Sequence, residues 1–566
     1  MINSERKASS RSGLFVFIMV ALCVLMCVAI LYPLSLLLFG SLRVERFGQA
    51  GVYSLTNYVR AFTDPRIVAS FGNTLIVCIG TSVLSTIFGV FLAWGSTRTN
   101  YPFRKTLEIF NLLPFFLSPL VMSVAWICLA APRVGLVNTF LKEVFQLPKY
   151  PLDVYSLWGI IWVMSIFYTS YMYLFTIGSM RKMDPALEEV ARTCGSDLFT
   201  TTRRITVPLN IPSITFGFVM VFIMSAGMFA VPATLGMPVQ KEVLATQIFE
   251  VVHRYPGDYN LGAAMSSILL VLIFLALWVQ RKIILRRQYF TITGKGYRPH
   301  VIDLGNWKYL ILSLNLFYLS IVAVLPIVAL FLISLHKPWT GTLQFHLLTF
   351  ANYAFIFKSI PMVQQGIKNS LMLATLTASV IIFVSVIIAY VVYRLKPKGH
   401  QAIDFISSLP IAIPGIVMGM GVLVGYIRTP LYATLWIIMV AYMCRFLPLG
   451  LKSVTAVLLS IHPEMDESSR VCGASIWVTL KRIIIPLLWS GMVAGWLMLF
   501  IIFVKEINTS ILLVSPGNEV TGFALLYILE ERLLSDTAAF AMIETGIILI
   551  SVFLFKKILG TREMEL

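Results

Sequence analysis

The chain has 566 residues, of which 58% are hydrophobic and 12% charged, with a mean hydropathy of +0.86. A water-soluble protein of this length cannot hide that much apolar surface, so the composition excludes a soluble globular protein. The formal net charge of +18 raises nucleic acid as a partner, but the basic residues collect in alternate loops. That bias sets orientation in a membrane and needs no polyanion.

Arg6, Lys7 and Arg11 precede an apolar run from Leu14 to Leu38. The run is too long for a signal-peptide core and ends in no small-x-small cleavage site, so it reads as a retained first helix. Apolar stretches of about 20 residues, enough to cross a ~30 Å hydrocarbon core, are expected near 14–40, 71–96, 107–130, 156–179, 211–235, 261–280, 308–335, 368–393, 403–427, 432–451, 488–514 and 536–556. They are too long and too uniformly apolar for barrel strands. The expected class is an all-α polytopic membrane protein with about 12 transmembrane helices. The clusters Arg281, Lys282, Arg286, Arg287, Lys295 and Arg298, and then Arg394, Lys396 and Lys398, place both termini on the cytoplasmic side. The seven cysteines show no metal-ligand spacing, so no metal site is expected. Cys23 and Cys27 lie one helical turn apart and suit packing.

The chain repeats itself. MDPALEEVARTCGSDLFTTTRRITVPL near residue 190 and HPEMDESSRVCGASIWVTLKRIIIPL near residue 468 align without a gap when shifted by 278 positions. Pro185 then falls on Pro463, Glu189 on Glu467, Arg192 on Arg470, Cys194 on Cys472, Gly195 on Gly473, Arg204 on Arg482 and Pro208 on Pro486. Upstream, Asn57-Tyr58 matches Asn352-Tyr353, Asn73 matches Asn369 and Leu113-Pro114 matches Leu409-Pro410, shifted by about 295. The first half therefore carries roughly 17 extra residues, placed in the outward stretch Ala131 to Asp153. The halves are expected at 1–290, with a cytoplasmic loop near 183–209, and 291–566, with the matching loop near 461–487. Each holds an even number of spans, which makes them parallel repeats about an axis along the membrane normal.

Both loops fit E-x-x-x-x-x-G-x9-I-x-hydrophobic-P: Glu189, Gly195, Ile205 and Pro208, then Glu467, Gly473, Ile483 and Pro486. Each segment opens with Pro and acidic residues at the positive end of a helix dipole and stops at Gly. Pro208 and Pro486 read as the starts of the helices that re-enter the membrane. With Glu189-Val190-Ala191 and Glu467-Ser468-Ser469 in the first positions, the pair resembles the "EAA" loop in permease subunits of type I ABC importers. The resemblance covers essentially the whole chain. It implies a fold of two six-helix halves and coupling helices containing Glu189, Ala191, Gly195, Ile205, Pro208, Glu467, Ser469, Gly473, Ile483 and Pro486. The implied partners are two copies of a cytoplasmic ABC ATPase and an extracytoplasmic solute-binding protein, in a bacterial inner membrane. The chain has no G-x-x-x-x-G-K-[ST] phosphate cradle, so it is read as a non-enzyme without a cofactor, served by a separate ATPase.

The third and fifth helices of each half are expected to line the path. Pro114 and Pro119 interrupt one third helix, and Pro410 and Pro414 the other, tolerable in a membrane only where protein or water satisfies the freed carbonyls. The fifth-helix regions, Gly227 to Glu250 and Phe503 to Leu526, resemble a branch of fused permeases that import ferric iron, with relatives for phosphonates, thiamine and phosphorylated solutes. Where that branch carries Lys/Arg-Glu-Leu-Pro-Ala-Thr, this chain has Lys505-Glu506-Ile507-Asn508-Thr509-Ser510. Lys505 and Glu506 either line the path or anchor their helix to its neighbours. Arg445 is expected to anchor a cytoplasmic helix end. Ferric iron is the first choice of solute, before a phosphonate or phosphorylated solute, thiamine or a polyamine. A secondary transporter would share composition and repeat but not the motif-bearing loops, and a channel would require a filter-like sequence that is not found.

Overall fold

The computed structural model describes residues 2–44, 51–184, 186–286 and 303–559. Pro185, Arg287, Lys295 and Arg298 lie outside the described residues, and so do the side chains of Arg6, Lys7, Arg11 and Arg286. Among the described residues there is no β-strand, only the isolated bridges Arg43–Tyr53 and His336–Leu348. Ten unbroken helices are long and apolar enough to cross a membrane, and two bent pairs bring the spans to 12. In chain order they are α1 Val16–Ser41, α2 Pro65–Arg98, α3 Arg104–Phe116 plus Pro119–Ala130, α4 Leu157–Lys182, α5 Leu198–Ala226 and α6 Tyr259–Ile283. The second six are α7 Trp307–Ser334, α8 Pro361–Leu395, α9 His400–Ala412 plus Gly415–Tyr426, α10 Leu435–Ser460, α11 Ile476–Val504 and α12 Leu534–Leu554.

Two expected spans move. The stretches 211–235 and 488–514 become Leu198–Ala226 and Ile476–Val504, because Pro208 and Pro486 do not start their helices. Proline lacks an N–H and its ring strikes the carbonyl four residues back. The helix absorbs this in one wide π-helical turn, at Thr202–Thr206 with Val207 N–H on the Thr202 carbonyl, and at Leu480–Ile484 with Ile485 N–H on the Leu480 carbonyl. A third such turn, Ser320–Val324, precedes Pro326. At their other ends α5 and α11 stop about ten residues early, and Ala230–Leu235 forms a separate short helix.

In the first half α2 packs against α4 and α5; in the second, α8 packs against α10 and α11. The first span of each half then crosses over. α1 lies on the second limb of α9 and on α6, while α7 lies on the second limb of α3 and on α12. Met19, Cys23, Met26, Ile30 and Leu37 form the buried stripe of α1, one face at helical spacing. Gly421 is needed at this crossing, since a Cβ there would stand 3.0 Å from the Pro33 carbonyl oxygen.

The residues that match between halves hold the chain where it leaves the spans. Buried Asn57 donates its amide to the Ser41 carbonyl at 3.0 Å and the Arg43 carbonyl at 2.7 Å; Asn352 does the same to Ser334 at 2.8 Å and His336 at 2.7 Å. The neighbouring tyrosines bond Ser41 and Ser334, each at 2.7 Å. About two turns into the next spans, Asn73 donates to the Glu242 carbonyl at 2.9 Å and Asn369 to that of Glu519 at 2.8 Å. The 131–153 insertion forms a helix, Leu136–Val144, pinned by buried Asn138 to Ala130, Ala131 and Leu152. It meets the second half where the Trp339 indole donates to the Val134 carbonyl at 2.8 Å.

Two predictions follow from these contacts. Asn352→Ala strands two buried carbonyls and is expected to cost about 2–3 kcal/mol, read as a lowered melting temperature in detergent; an unchanged melt would refute the clamp. Burial and the adjacent Glu250 raise the Glu242 carboxyl to about 7 against the pull of Arg66. Its neutral form is therefore favoured by the fold. The contribution is complete below the ordinary carboxylate range and lost as pH rises through about 7. The melting temperature of the native chain is expected to fall from pH 5 to pH 8 by more than that of Glu242→Gln.

Candidate functional site: two surface helices and a polar contact between halves

The loops after α4 and α10 leave the membrane on the same face, because an even number of spans separates them. Each carries a two-turn helix, Ala186–Thr193 and Glu464–Val471. Both stop at a left-handed glycine, Gly195 at φ 85° and Gly473 at φ 79°. The next N–H bonds back to Ala191 and Ser469 respectively, at 3.0 and 3.1 Å, the pattern that closes a helix C-terminus. Nothing lies within 4 Å of a Cβ built on either glycine, so the backbone conformation alone calls for Gly. The chain then enters the next span through a matching cap, Asp197 accepting from Thr200 N–H and Ser475 from Val478 N–H.

The motif glutamates, Glu189 and Glu467, face outward from these helices. Their neighbours, Glu188 and Asp466, turn inward and are buried. Glu188 accepts from the Thr206 hydroxyl at 2.5 Å and pairs with Arg98 at 3.6 Å; Asp466 pairs with Arg394 at 3.7 Å. Burial pushes the Asp466 carboxyl above the ordinary carboxylate range, with Arg394 and Arg470 opposing. Each arginine also donates to the last carbonyls of the fourth span of its half. Arg98 reaches Met180 at 2.9 Å and Met183 at 3.2 Å, and Arg394 reaches Leu458 at 3.1 Å and Ile461 at 2.5 Å. One guanidinium thus fastens the end of α2 or α8, the end of α4 or α10, and the surface helix into one unit. Sequence reading gave none of these four residues this role, and took Arg394 only as part of an orientation-setting basic cluster. The signal was present, because Arg98 and Arg394 obey the upstream shift and Glu188 and Asp466 obey the 278-residue shift.

Ile205 and Ile483 lie in the wide turns, Pro208 and Pro486 just after them, and Ser469 bonds Thr479 at 2.9 Å. The motif residues therefore divide between the surface helices with their glycine stops and the start of the span that follows each. The path candidates sit elsewhere, at the seam between halves. Spans α3 and α9 are bent by 96° and 113° at 117–118 and 413–414, with Pro114 and Pro410 buried just before the bends. The end of α11 in the second half meets the bend of α3 in the first. Lys505, 6% exposed, donates its ammonium to the carbonyls of Phe115 and, at 3.2 Å, of Leu117. It also lies over the rings of Phe115 and Phe167, at 5.2 and 5.8 Å. Asn508 accepts from the N–H groups of Phe229 at 2.8 Å and Ala230 at 3.3 Å, where α5 has ended.

Glu506 points the other way and stays within its own half. Its carboxylate takes Arg445 at 2.6 Å, Thr509 N–H at 2.9 Å and the Thr509 hydroxyl at 2.8 Å. This corrects the expectation for Arg445, which sits in the middle of α10 rather than at a helix end. A cation at that depth is held because Glu506 and Thr509 supply its partners. The halves break their symmetry here. Residue 227, which the 278-residue shift sets against Lys505, is Gly, and it packs against Pro414 at the bend of α9. One side of the seam is closed by an ammonium on carbonyls and the other by close backbone approach.

The profile of the family described as binding-protein-dependent transport system inner membrane component matches twice, at residues 85–288 and 381–562. A putative ferric transport system permease protein, FbpB 1 of Haemophilus influenzae, is 27% identical over 512 residues, covering 88% of this chain and 78% of its own length. The ferric transport system permease protein FbpB of Actinobacillus pleuropneumoniae is 26% identical over 528 residues, covering 91% of this chain and 75% of its own. Among solved structures, a bacterial ABC transporter involved in import of the acidic polysaccharide alginate matches 42% of this chain and 86% of its own, with 20% identity and a TM-score of 0.37. The chain belongs to the family of binding-protein-dependent transport system inner membrane components, as a fused two-half permease of the type I ABC importer class.

Proposed function

We propose that this chain forms the membrane path of an ATP-driven importer of ferric iron. A separate ATPase docks on Ala186–Thr193 and Glu464–Val471, and a solute-binding protein docks on the opposite face. The two halves, 1–290 and 291–566, each take one ATPase subunit, with the docking loops and both termini in the cytoplasm. The observation that carries the reading is the pair of three-way ties through Arg98 and Arg394. A push on either surface helix is delivered to two spans of the same half at once, so the half moves as a body. The same helices expose apolar side chains, Val190 at 62% and Val471 at 88%, which water disfavours and a protein groove would cover.

Glu189, Ala191, Gly195, Ile205 and Pro208, with Glu467, Ser469, Gly473, Ile483 and Pro486, are the coupling residues in this reading. Lys505, Glu506, Pro114 and Pro410 frame the closed path. The solute assignment follows the two ferric permease relatives named above, which align across nearly the whole chain.

Both parts are testable. Val190→Asp with Val471→Asp alters only exposed positions and is expected to leave stability within about 0.5 kcal/mol. It should lower ATP-dependent uptake roughly tenfold or more, the equivalent of about 1.4 kcal/mol of docking affinity; uptake at the native rate would remove the docking assignment. For the solute, thermal shifts are recorded on the binding protein that copurifies with the complex. Ferric ion at ~100 times Kd is expected to stabilise it by about 2.7 kcal/mol, with no shift from aminoethylphosphonate, thiamine or spermidine. A shift with one of those instead would keep the importer and replace the iron.

A further inference from the structure

One buried ionisable group beside Lys505 is left without a partner. Glu544 lies on α12, fully buried, and among the described residues neither of its carboxylate oxygens makes a hydrogen bond. It lies beside the Ser118 hydroxyl, with which it makes no regular hydrogen bond, and within electrostatic reach of Lys505, with which it forms no direct ion pair. Glu506 differs, since Arg445 and Thr509 already satisfy it. A carboxylate buried with no hydrogen bond is costly, and replacing it by an uncharged group would relieve that cost.

The arrangement around the α3 bend gives this group a use. Phe115 and Leu117, whose carbonyls hold Lys505, end the first limb of α3. Ser118 caps the second limb, Pro119–Ala130, and α12 packs along that same limb. The ammonium of Lys505 therefore stands at the hinge, with carbonyl acceptors on the first limb and the Glu544 carboxylate on α12, packed against the second. Any motion that changes the angle between the limbs moves one acceptor set relative to the other. An ammonium pulled off its carbonyls in a buried site needs a new acceptor at once.

We propose that Glu544 is a positioning residue of the transport cycle, which receives Lys505 when the first limb of α3 withdraws and so stabilises the open seam. In the arrangement described here, Lys505 is held by the first limb and Glu544 makes no direct ion pair with it. On opening, Lys505 turns to Glu544, and on closing it returns. The inference rests on the importer reading, because it needs the seam to open.

The test uses the full-length chain assembled with its ATPase and binding protein in proteoliposomes. Four variants are compared: Glu544→Gln, Glu544→Asp, Lys505→Met and the double variant Lys505→Met/Glu544→Gln. Glu544→Gln should melt no lower than the native chain, because it removes a buried carboxylate that makes no regular hydrogen bond while the carbonyls of Phe115 and Leu117 still hold Lys505. It should nevertheless reduce ATP-driven uptake by about tenfold or more, with Glu544→Asp recovering most of the rate. In the Lys505→Met background, Glu544→Gln should have no further effect, the non-additivity expected of residues that act on each other. Native uptake by Glu544→Gln, a lowered melting temperature, or an equal loss in both backgrounds would each overturn the proposal. ATP hydrolysis stimulated by the binding protein is measured on the native complex alongside. If that stimulation is missing the importer reading itself fails, whereas stimulation with additive variants refutes only the role of Glu544.

Discussion

The rest of the structure depends on one constraint: inside a bilayer, no backbone carbonyl or N–H can be left for water to satisfy. A permease must nonetheless break helices at membrane depth, since an unbroken bundle offers no seam to open. This chain breaks α3, α9 and the ends of α5 and α11, and at the two first-half breaks it answers the freed groups with side chains from the second half. Lys505 covers carbonyls at one break and Asn508 covers N–H groups at another. The polar groups that make the path possible are thus the same groups that join the halves. The halves share broad apolar packing where α1 lies on α9 and α7 lies on α3, and these few directional polar contacts are added to it at the helix breaks.

The same economy operates at the water-facing ends. Asn57 and Asn352 each satisfy two carbonyls where a first span stops, and Arg98 and Arg394 do so where the fourth spans stop. Each of these side chains binds two pieces of chain at once, so closing a helix end and fixing tertiary position become one event. The repeat preserves them in register because losing either function would expose the other.

Much of this was legible in the sequence. The spans, the two halves, the surface helices and their glycine stops all follow from hydropathy, self-similarity and backbone preference. Less legible were features that depend on three-dimensional context. Pro208 and Pro486 look like helix starts, because the wide turn that lets a helix pass through a proline has no composition of its own. Arg445 looked like an end anchor because its partner, Glu506, is 61 residues away. Glu188 and Asp466 were overshadowed by the motif glutamates beside them, although their match across the repeat marked them equally. For Lys505 and Glu506, residue type pointed to the seam, but only coordinates could separate the one that crosses it from the one that does not.

The crossing of first spans also bears on how the chain is made. α1 finds its packing surface on the second limb of α9, which begins at Gly415. At a synthesis rate of roughly 5–20 residues per second, that surface leaves the ribosome on the order of tens of seconds after α1. During that interval α1 has α6 of its own half to lie against, but the part of its surface that α9 will cover stays open to lipid or an insertion factor. The first half cannot reach its final form ahead of the second, and a ribosome stalled between them leaves an orphan helix for quality control to recognise. Fusion into one polypeptide means that every completed chain brings the missing surface at equal dose and already tethered.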